Sequence, residues 1–206
     1  VQATTSLQLT EEMQMQKQPE KYASTSRQRG YNLIELLTAM AVLAILTTVA
    51  VPGMRNIMLD NRRVSATNEF VYTMQLARSE AISRNQRVTV CPSVNGRSCA
   101  NRNYWSRGWI MFNDIDLNRV PGGTNETIMK YVEVNGDFDV APIRFTGTYT
   151  YRPNGRIMGT TTAVQNGEFV FCDQRGDDYA RVVVVESNGR PQLSKYRADG
   201  SDVGCS

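Results

Sequence analysis

The chain contains no histidine. That excludes a Ser-His-Asp triad, a Cys-His pair and any His-ligated metal built from this sequence alone. Four cysteines are present, but none forms a Cys-x-x-Cys pair, so the usual zinc spacing is missing too. There is no close carboxylate pair, Gly-rich phosphate loop or activated nucleophile either, so no enzyme activity and no cofactor are expected. Charge is almost missing from one long stretch. Between Tyr31 and Met54 only Glu35 is charged, and sixteen consecutive residues from Leu36 to Val51 carry none. Elsewhere neither sign dominates. The 206 residues sum to +3, and beyond residue 30 there remain 19 basic and 17 acidic groups, too balanced to attract nucleic acid or a membrane surface by bulk charge. Large apolar side chains are scarce before residue 30, where Gln, Ser and Thr abound. Such a segment cannot bury a core and is expected to be disordered.

What is present is the run from Arg29 to Pro52, apolar on every side. About 20 such residues span a bilayer as a helix. Lys17, Lys21, Arg27 and Arg29 precede it, which places the N-terminal end in the cytoplasm and the rest of the chain outside. Pro52 removes one helical hydrogen bond and predicts a kink or an end there. Glu35 lies one turn after Tyr31 on the same face. A carboxylate at mid-membrane costs roughly 2.5–3.5 kcal/mol and normally has a partner. A cut between Gly30 and Tyr31 would create one, the new α-amine of the same or a neighbouring chain. Without the cut, Glu35 is an acid favoured by the helix N-terminal dipole.

The residues Gly30-Tyr31-Asn32-Leu33-Ile34-Glu35-Leu36 resemble the processing motif of type IV prepilins and type II secretion pseudopilins, usually Gly-Phe-Thr-Leu-Ile-Glu. The resemblance implies cleavage after Gly30 by a prepilin peptidase, N-methylation of Tyr31 and a docking role for Glu35. Tyr31 and Asn32 depart mildly from the pattern. In a secretory signal the apolar region precedes the cut and is removed; here it follows the cut and stays. The leader is long for the family, which leaves Met13 and Met15 as candidate starts.

Past Pro52-Gly53 a second, amphipathic half-helix is expected, with Ile57, Met58, Val64, Phe70, Met74, Ala77, Ala81 and Ile82 recurring at helical steps. One helix from Tyr31 to Asn85 would measure roughly 80 Å. From Gln86 the period becomes two. Strands are predicted at 87–91, 108–112, 127–132, 143–146, 148–151, 168–172 and 180–185, with turns at Asn95-Gly96, Pro121-Gly122-Gly123, Asn135-Gly136, Pro153-Asn154-Gly155, Asn166-Gly167 and Asn188-Gly189. No strand–helix alternation appears, so the fold class is α+β: a long N-terminal helix packed on an antiparallel β-sheet domain. Three segments follow: a leader at 1–30, a transmembrane and assembly half-helix at 31–53, and a globular domain at 54–206 that includes the amphipathic half.

Cys91 and Cys99 bracket a turn, while Cys172 closes a strand and Cys205 is next to last. Of the three connectivities open to four cysteines, Cys91–Cys99 with Cys172–Cys205 is favoured, the second pinning the tail. Disulfides suit a domain working outside the cell. Asn113-Asp114-Ile115-Asp116-Leu117-Asn118 places oxygen atoms at alternate positions, but Arg119 stands where a calcium loop needs Gly, and a hairpin with Asx turns explains it better.

Cys91-Pro92-Ser93 through Gly96 and Cys99, then Trp105, Gly108-Trp109-Ile110-Met111-Phe112 and Asp114, with Phe169, Cys172, Arg175-Gly176 and Ala180 to Val184, are similar to the FimT/FimU minor pilins and the related GspH minor pseudopilins. This implies a type IV pilin-like fold and a low-copy subunit that primes assembly or sits in a tip complex. Implied partners are other major and minor pilins, the prepilin peptidase, the inner-membrane assembly platform and the inner membrane itself. The implied location is a single-pass inner-membrane protein with a periplasmic C-terminal domain, later part of a surface pilus fibre or its tip. Two alternatives remain: a GspH-like pseudopilin of type II secretion, and a DNA-binding minor pilin, since some FimT-like members bind DNA through Gly-Arg-x-Arg. Here Gly189-Arg190-Pro191-Gln192 keeps only the first arginine. Lys195 and Arg197 are the further candidate contacts, diluted by Asp199 and Asp202.

Overall fold

The computed structural model describes residues 30–134, 138–143, 147–158 and 167–205. The leader at 1–30, of which only Gly30 is described, and the turns predicted at Asn135-Gly136 and Asn166-Gly167 lie wholly or partly outside the described residues. The chain divides into two compact units, Val1–Thr47 and Thr48–Ser206. In the first, the described part is the opening of helix α1, which runs Leu33–Ser83 and passes through Pro52. Every described residue of that unit is exposed.

In the second unit, the remainder of α1 is followed, among the described residues, by nine strands: β1 Val88–Pro92, β2 Gly108–Asn113, β3 Ile128–Glu133, β4 Phe138–Ile143, β5 Tyr149–Tyr151, β6 Ile157–Met158, β7 Gly167–Asp173, β8 Arg181–Val185 and β9 Pro191–Ser194. They form two sheets rather than one, ordered β3-β2-β1-β5-β6 and β4-β7-β8-β9. All pairings are antiparallel, as expected where, among the described residues, only short 3-10 turns and loops and no α-helix connect successive strands. Of the strand expected at 143–146, residues 144–146 lie outside the described residues and Ile143 closes β4, a strand not expected from the sequence. β4, β6 and β9 escape the alternation rule. β4 carries Asp139 and Pro142, β9 opens on Pro191, and β6 has two residues.

Both sheets contribute to one core against α1. Phe70 is its centre, with ring centroids at 5.1 Å from Trp109, 5.7 Å from Trp105, 4.4 Å from Phe169 and 5.6 Å from Phe171. Around it lie Met74, Ala77 and Ala81 of α1, Val88, Val90, Met111, Tyr149 and Tyr151 of one sheet, and Val140, Val183 and Val185 of the other. Burying a side chain of Phe size contributes about 1.5–3 kcal/mol. The buried face of α1 is Arg63, Thr67, Phe70, Thr73, Met74, Ala77 and Ala81. Ile57, Met58, Val64 and Ile82, expected on that face, are exposed. Polar groups take their place because each finds a partner: the Trp109 indole donates to Thr73 Oγ1 at 3.1 Å, and Thr67 donates to the Arg63 carbonyl at 2.7 Å.

Gly167 opens β7 where there is no room for a side chain. A Cβ there would stand 1.2 Å from the Tyr149 hydroxyl oxygen. Two satellite clusters cover outer faces of the sheets: Cys91, Ile110 and Phe112 on the first, and Val170, Cys172, Ala180, Val182 and Val203 on the second.

Candidate assembly site

Local chemistry starts α1 at Leu33. Asn32 stands at the N-cap position, where a short polar side chain is preferred, and its carbonyl accepts the Leu36 amide at 3.1 Å. Glu35 lies in the first turn, at the positive end of the helix dipole. Gly30, Tyr31 and Glu35 are all exposed, and Thr38 donates to the Glu35 carbonyl at 2.9 Å. From Leu33 to Met58 no residue of α1 is buried, and the helix contains a window long and apolar enough to cross a membrane. Among the described residues nothing covers this apolar surface, whose extent suits contact with lipid or other helices. Pro52 sits inside this exposed run.

The first buried residue after it is Arg63, only 3% exposed. Arg63 donates to Asp60 Oδ1 at 2.8 Å and to the Tyr179 carbonyl, and lies 3.6 Å from Asp173 Oδ2. Arg175 reaches Asp173 Oδ2 at 2.6 Å and Asp60 Oδ1 at 2.9 Å, and its guanidinium covers the Tyr179 ring at 4.0 Å. Arg55 donates to Gln174 at 3.1 Å. The loop after β7 is thus clamped to α1 where the exposed apolar run gives way to the buried face. The hydrogen bond from Arg175 holds the Asp173 carboxyl below the usual carboxylate range, and it does the same for Asp60. Burial pulls the Arg63 guanidinium down, while its two carboxylate neighbours oppose that. Apolarity could not reveal this clamp, but spacing could have. Positions 63, 67, 70, 74, 77 and 81 advance by alternating steps of four and three, which puts Arg63 in line with the core.

Cys91 is bonded to Cys99, and Cys172 to Cys205. The tail is held further by Val203, buried beside Cys172, and by the Cys205 amide, which donates to Asp177 Oδ1 at 2.6 Å.

The three cations considered for DNA do not converge. Arg197 Nε reaches Glu168 Oε2 at 3.3 Å, an ion pair with a carboxylate side chain only 1% exposed. Lys195 lines a cleft of about 500 Å³ together with Asp177, Asp178 and Asp202. Arg190 is exposed at the end of the β8–β9 turn. In the acidic loop, Asp114, Asp116 and Glu126 approach one another. Asp114 is buried and accepts from Thr89 at 2.7 Å, while Glu126 accepts the Ile115 amide at 2.9 Å and the Gly123 amide at 2.9 Å. These carboxylates stabilise the loop's own backbone.

The family model described as type II transport protein GspH matches residues 66–189, and the prokaryotic N-terminal methylation motif matches residues 25–51. None of the curated protein sequences compared matches the chain. Among solved structures, the type IV minor pilin FimU of Pseudomonas aeruginosa aligns at 19% identity with a TM-score of 0.52, covering 71% of this chain and 96% of that one. A second crystal form of FimU gives 19% identity, a TM-score of 0.50, and coverage of 69% and 98%. The minor pseudopilin EpsH from the type 2 secretion system of Vibrio cholerae aligns at 12% identity with a TM-score of 0.42, covering 64% and 94%.

Proposed function

The chain belongs to the GspH family of minor pilins and pseudopilins, and from that premise we propose that it is a fibre subunit made competent by one cut, between Gly30 and Tyr31. The observation that carries this reading is the uncovered apolar surface of α1 from Leu33 to Met58 with a lone carboxylate in its first turn. Before assembly, that half-helix resides in the inner membrane and the remainder of the chain in the periplasm. On assembly it moves from lipid into a bundle of homologous helices. Glu35 then meets a methylated terminal amine, its own or a neighbour's, and an unmatched depth leaves the carboxylate unpaired at a cost of roughly 2.5–3.5 kcal/mol. As a minor subunit it primes a type IV pilus or sits in its tip complex.

Expression of Glu35→Ala in the native host tests this. The subunit should be cut and methylated at Tyr31, stay in the membrane, and be missing from sheared fibres. A mature polypeptide beginning upstream of Tyr31, or normal incorporation of Glu35→Ala, overturns the reading. The family's description as a type II transport protein favours a second reading, a pseudopilin of a secretion machine. Deletion separates the two: lost surface pili support the first, whereas blocked export of folded enzymes with pili intact supports the second.

A further inference from the structure

Two turns distant in sequence meet at the C-terminal end of α1. Arg78 Nε donates to the Gly155 carbonyl at 3.1 Å. A Cβ on Gly155 would lie 2.8 Å from Ile82 Cδ1, and one on Gly189 would lie 2.1 Å from the Gly155 carbonyl oxygen. Both glycines adopt positive φ, +75° and +81°, so the two turns touch backbone to backbone. Each turn brings arginine with it. Arg152 and Arg156 flank the first, closed by the Arg152 amide donating to the Arg156 carbonyl at 2.9 Å, and Arg190 ends the second. With Arg78 and Arg84 this makes five arginines and no lysine.

Two acids belong to these elements: Glu80 holds Arg84, while Glu186 accepts from the neutral amides of Asn188 at 2.8 Å and Gln192 at 3.2 Å and sets one negative charge against the other four arginines. Arg152, Arg156 and Arg190 are exposed and make no ion pair among the described residues. In their midst stands Ile82, 47% exposed. Because the chain beyond residue 30 is nearly neutral, such a surplus at one end is local.

We propose that this end of the domain is a docking surface for an acidic face of another fibre subunit, with Asp and Glu side chains gripped by Arg152, Arg156 and Arg190 around an apolar contact on Ile82. Guanidinium forks match carboxylates two bonds at a time, and arginine is enriched in protein interfaces. An apolar centre ringed by arginine fits a folded partner. A phosphodiester backbone would use the cations and leave Ile82 idle. The surface lies at the opposite end of the domain's helical segment from the Arg63 clamp, free of the apolar run that enters the bundle.

The proposal rests on the assembly reading, and the test keeps the two apart. In the native host, the triple variant Arg152→Glu/Arg156→Glu/Arg190→Glu should be processed and accumulate normally, yet its amount in sheared fibres should fall roughly tenfold or more, the scale of reversing several interfacial charges. The corresponding triple Arg→Lys chain should be incorporated. A photoreactive residue replacing Ile82 should yield an adduct with another fibre subunit through a peptide carrying at least two acidic residues. Normal incorporation of the triple Glu variant, or a cross-linked peptide without acids, overturns the proposal while Glu35→Ala still reports on assembly. If the purified full chain in detergent retards a short DNA duplex, the triple Glu variant does not, and fibre incorporation is unchanged, the occupant is nucleic acid and the proposal is wrong.

Discussion

Replacing Arg175 by Ala removes the hydrogen bonds that it makes to Asp173 and Asp60, along with its stacking on Tyr179. The Asp173 side chain is 2% exposed, so it cannot turn to water. Breaking a buried ion pair typically costs about 3–5 kcal/mol because one charge is left behind. Here Arg63 still lies 3.6 Å away and retains part of the attraction, which brings the expected loss to or below the bottom of that range, about 2–3 kcal/mol. For a domain of this size that corresponds to a fall in melting temperature of roughly 4–12 °C. Asp60→Asn should cost far less, since Asp60 is half exposed.

The assay is thermal unfolding of the full chain in detergent, followed by near-ultraviolet circular dichroism between pH 3 and 7. Asp173 has its pKa depressed in the folded protein, chiefly by Arg175. Its contribution is therefore fully present above the unfolded value near 3.9 and is lost as pH falls through the lower folded value. The gap between wild type and Arg175→Ala should be widest near neutrality and close toward pH 3. A gap that keeps its size down to pH 3 would refute the ionic account and leave lost packing on Tyr179 as the cause.

Gly167→Ala should destabilise the domain by about 1–3 kcal/mol or more, because a methyl group there overlaps the Tyr149 hydroxyl. Adding Tyr149→Phe should recover only part of this, since a ring carbon still lies 2.5 Å away; full insensitivity to Gly167→Ala in thermal unfolding would contradict the packing. Removing the Cys172–Cys205 bridge by paired Ser substitutions should cost about 3–4 kcal/mol, against about 2–3 for Cys91–Cys99, because the residues it joins are 33 apart rather than 8. Equal losses in denaturant titrations, or a larger loss for the shorter loop, would show that the cross-links do not act through chain entropy.

Much of the fold was legible because local chemistry and burial agree. The uncharged run after Glu35 reads as an anchor, and β1, β2, β3, β5, β7 and β8 announce themselves by β-branched and aromatic residues between turn signals. What stayed hidden depends on partners far along the chain. Arg63 looks like a solvated residue until the Tyr179 carbonyl and Asp173 are brought to it. Arg197 appeared free for phosphate, but Glu168 occupies it from β7. Two sheets were not foreseen because strand order is set by long-range pairing that alternation does not encode. Arg152 and Arg156 went unnoticed beside Arg190 because only the contact of two glycine turns joins them.

Both margins of the β4-β7-β8-β9 sheet carry a proline, Pro142 in β4 and Pro191 in β9. A proline withholds an amide from any visiting strand, a familiar guard against runaway sheet polymers. A member of a fibre-forming family thus has that route hindered on one sheet, where it would compete with the joining through α1 proposed above. Copies that meet along that sheet find an amide missing at each margin, which weakens any continuous amyloid-like ribbon built from it.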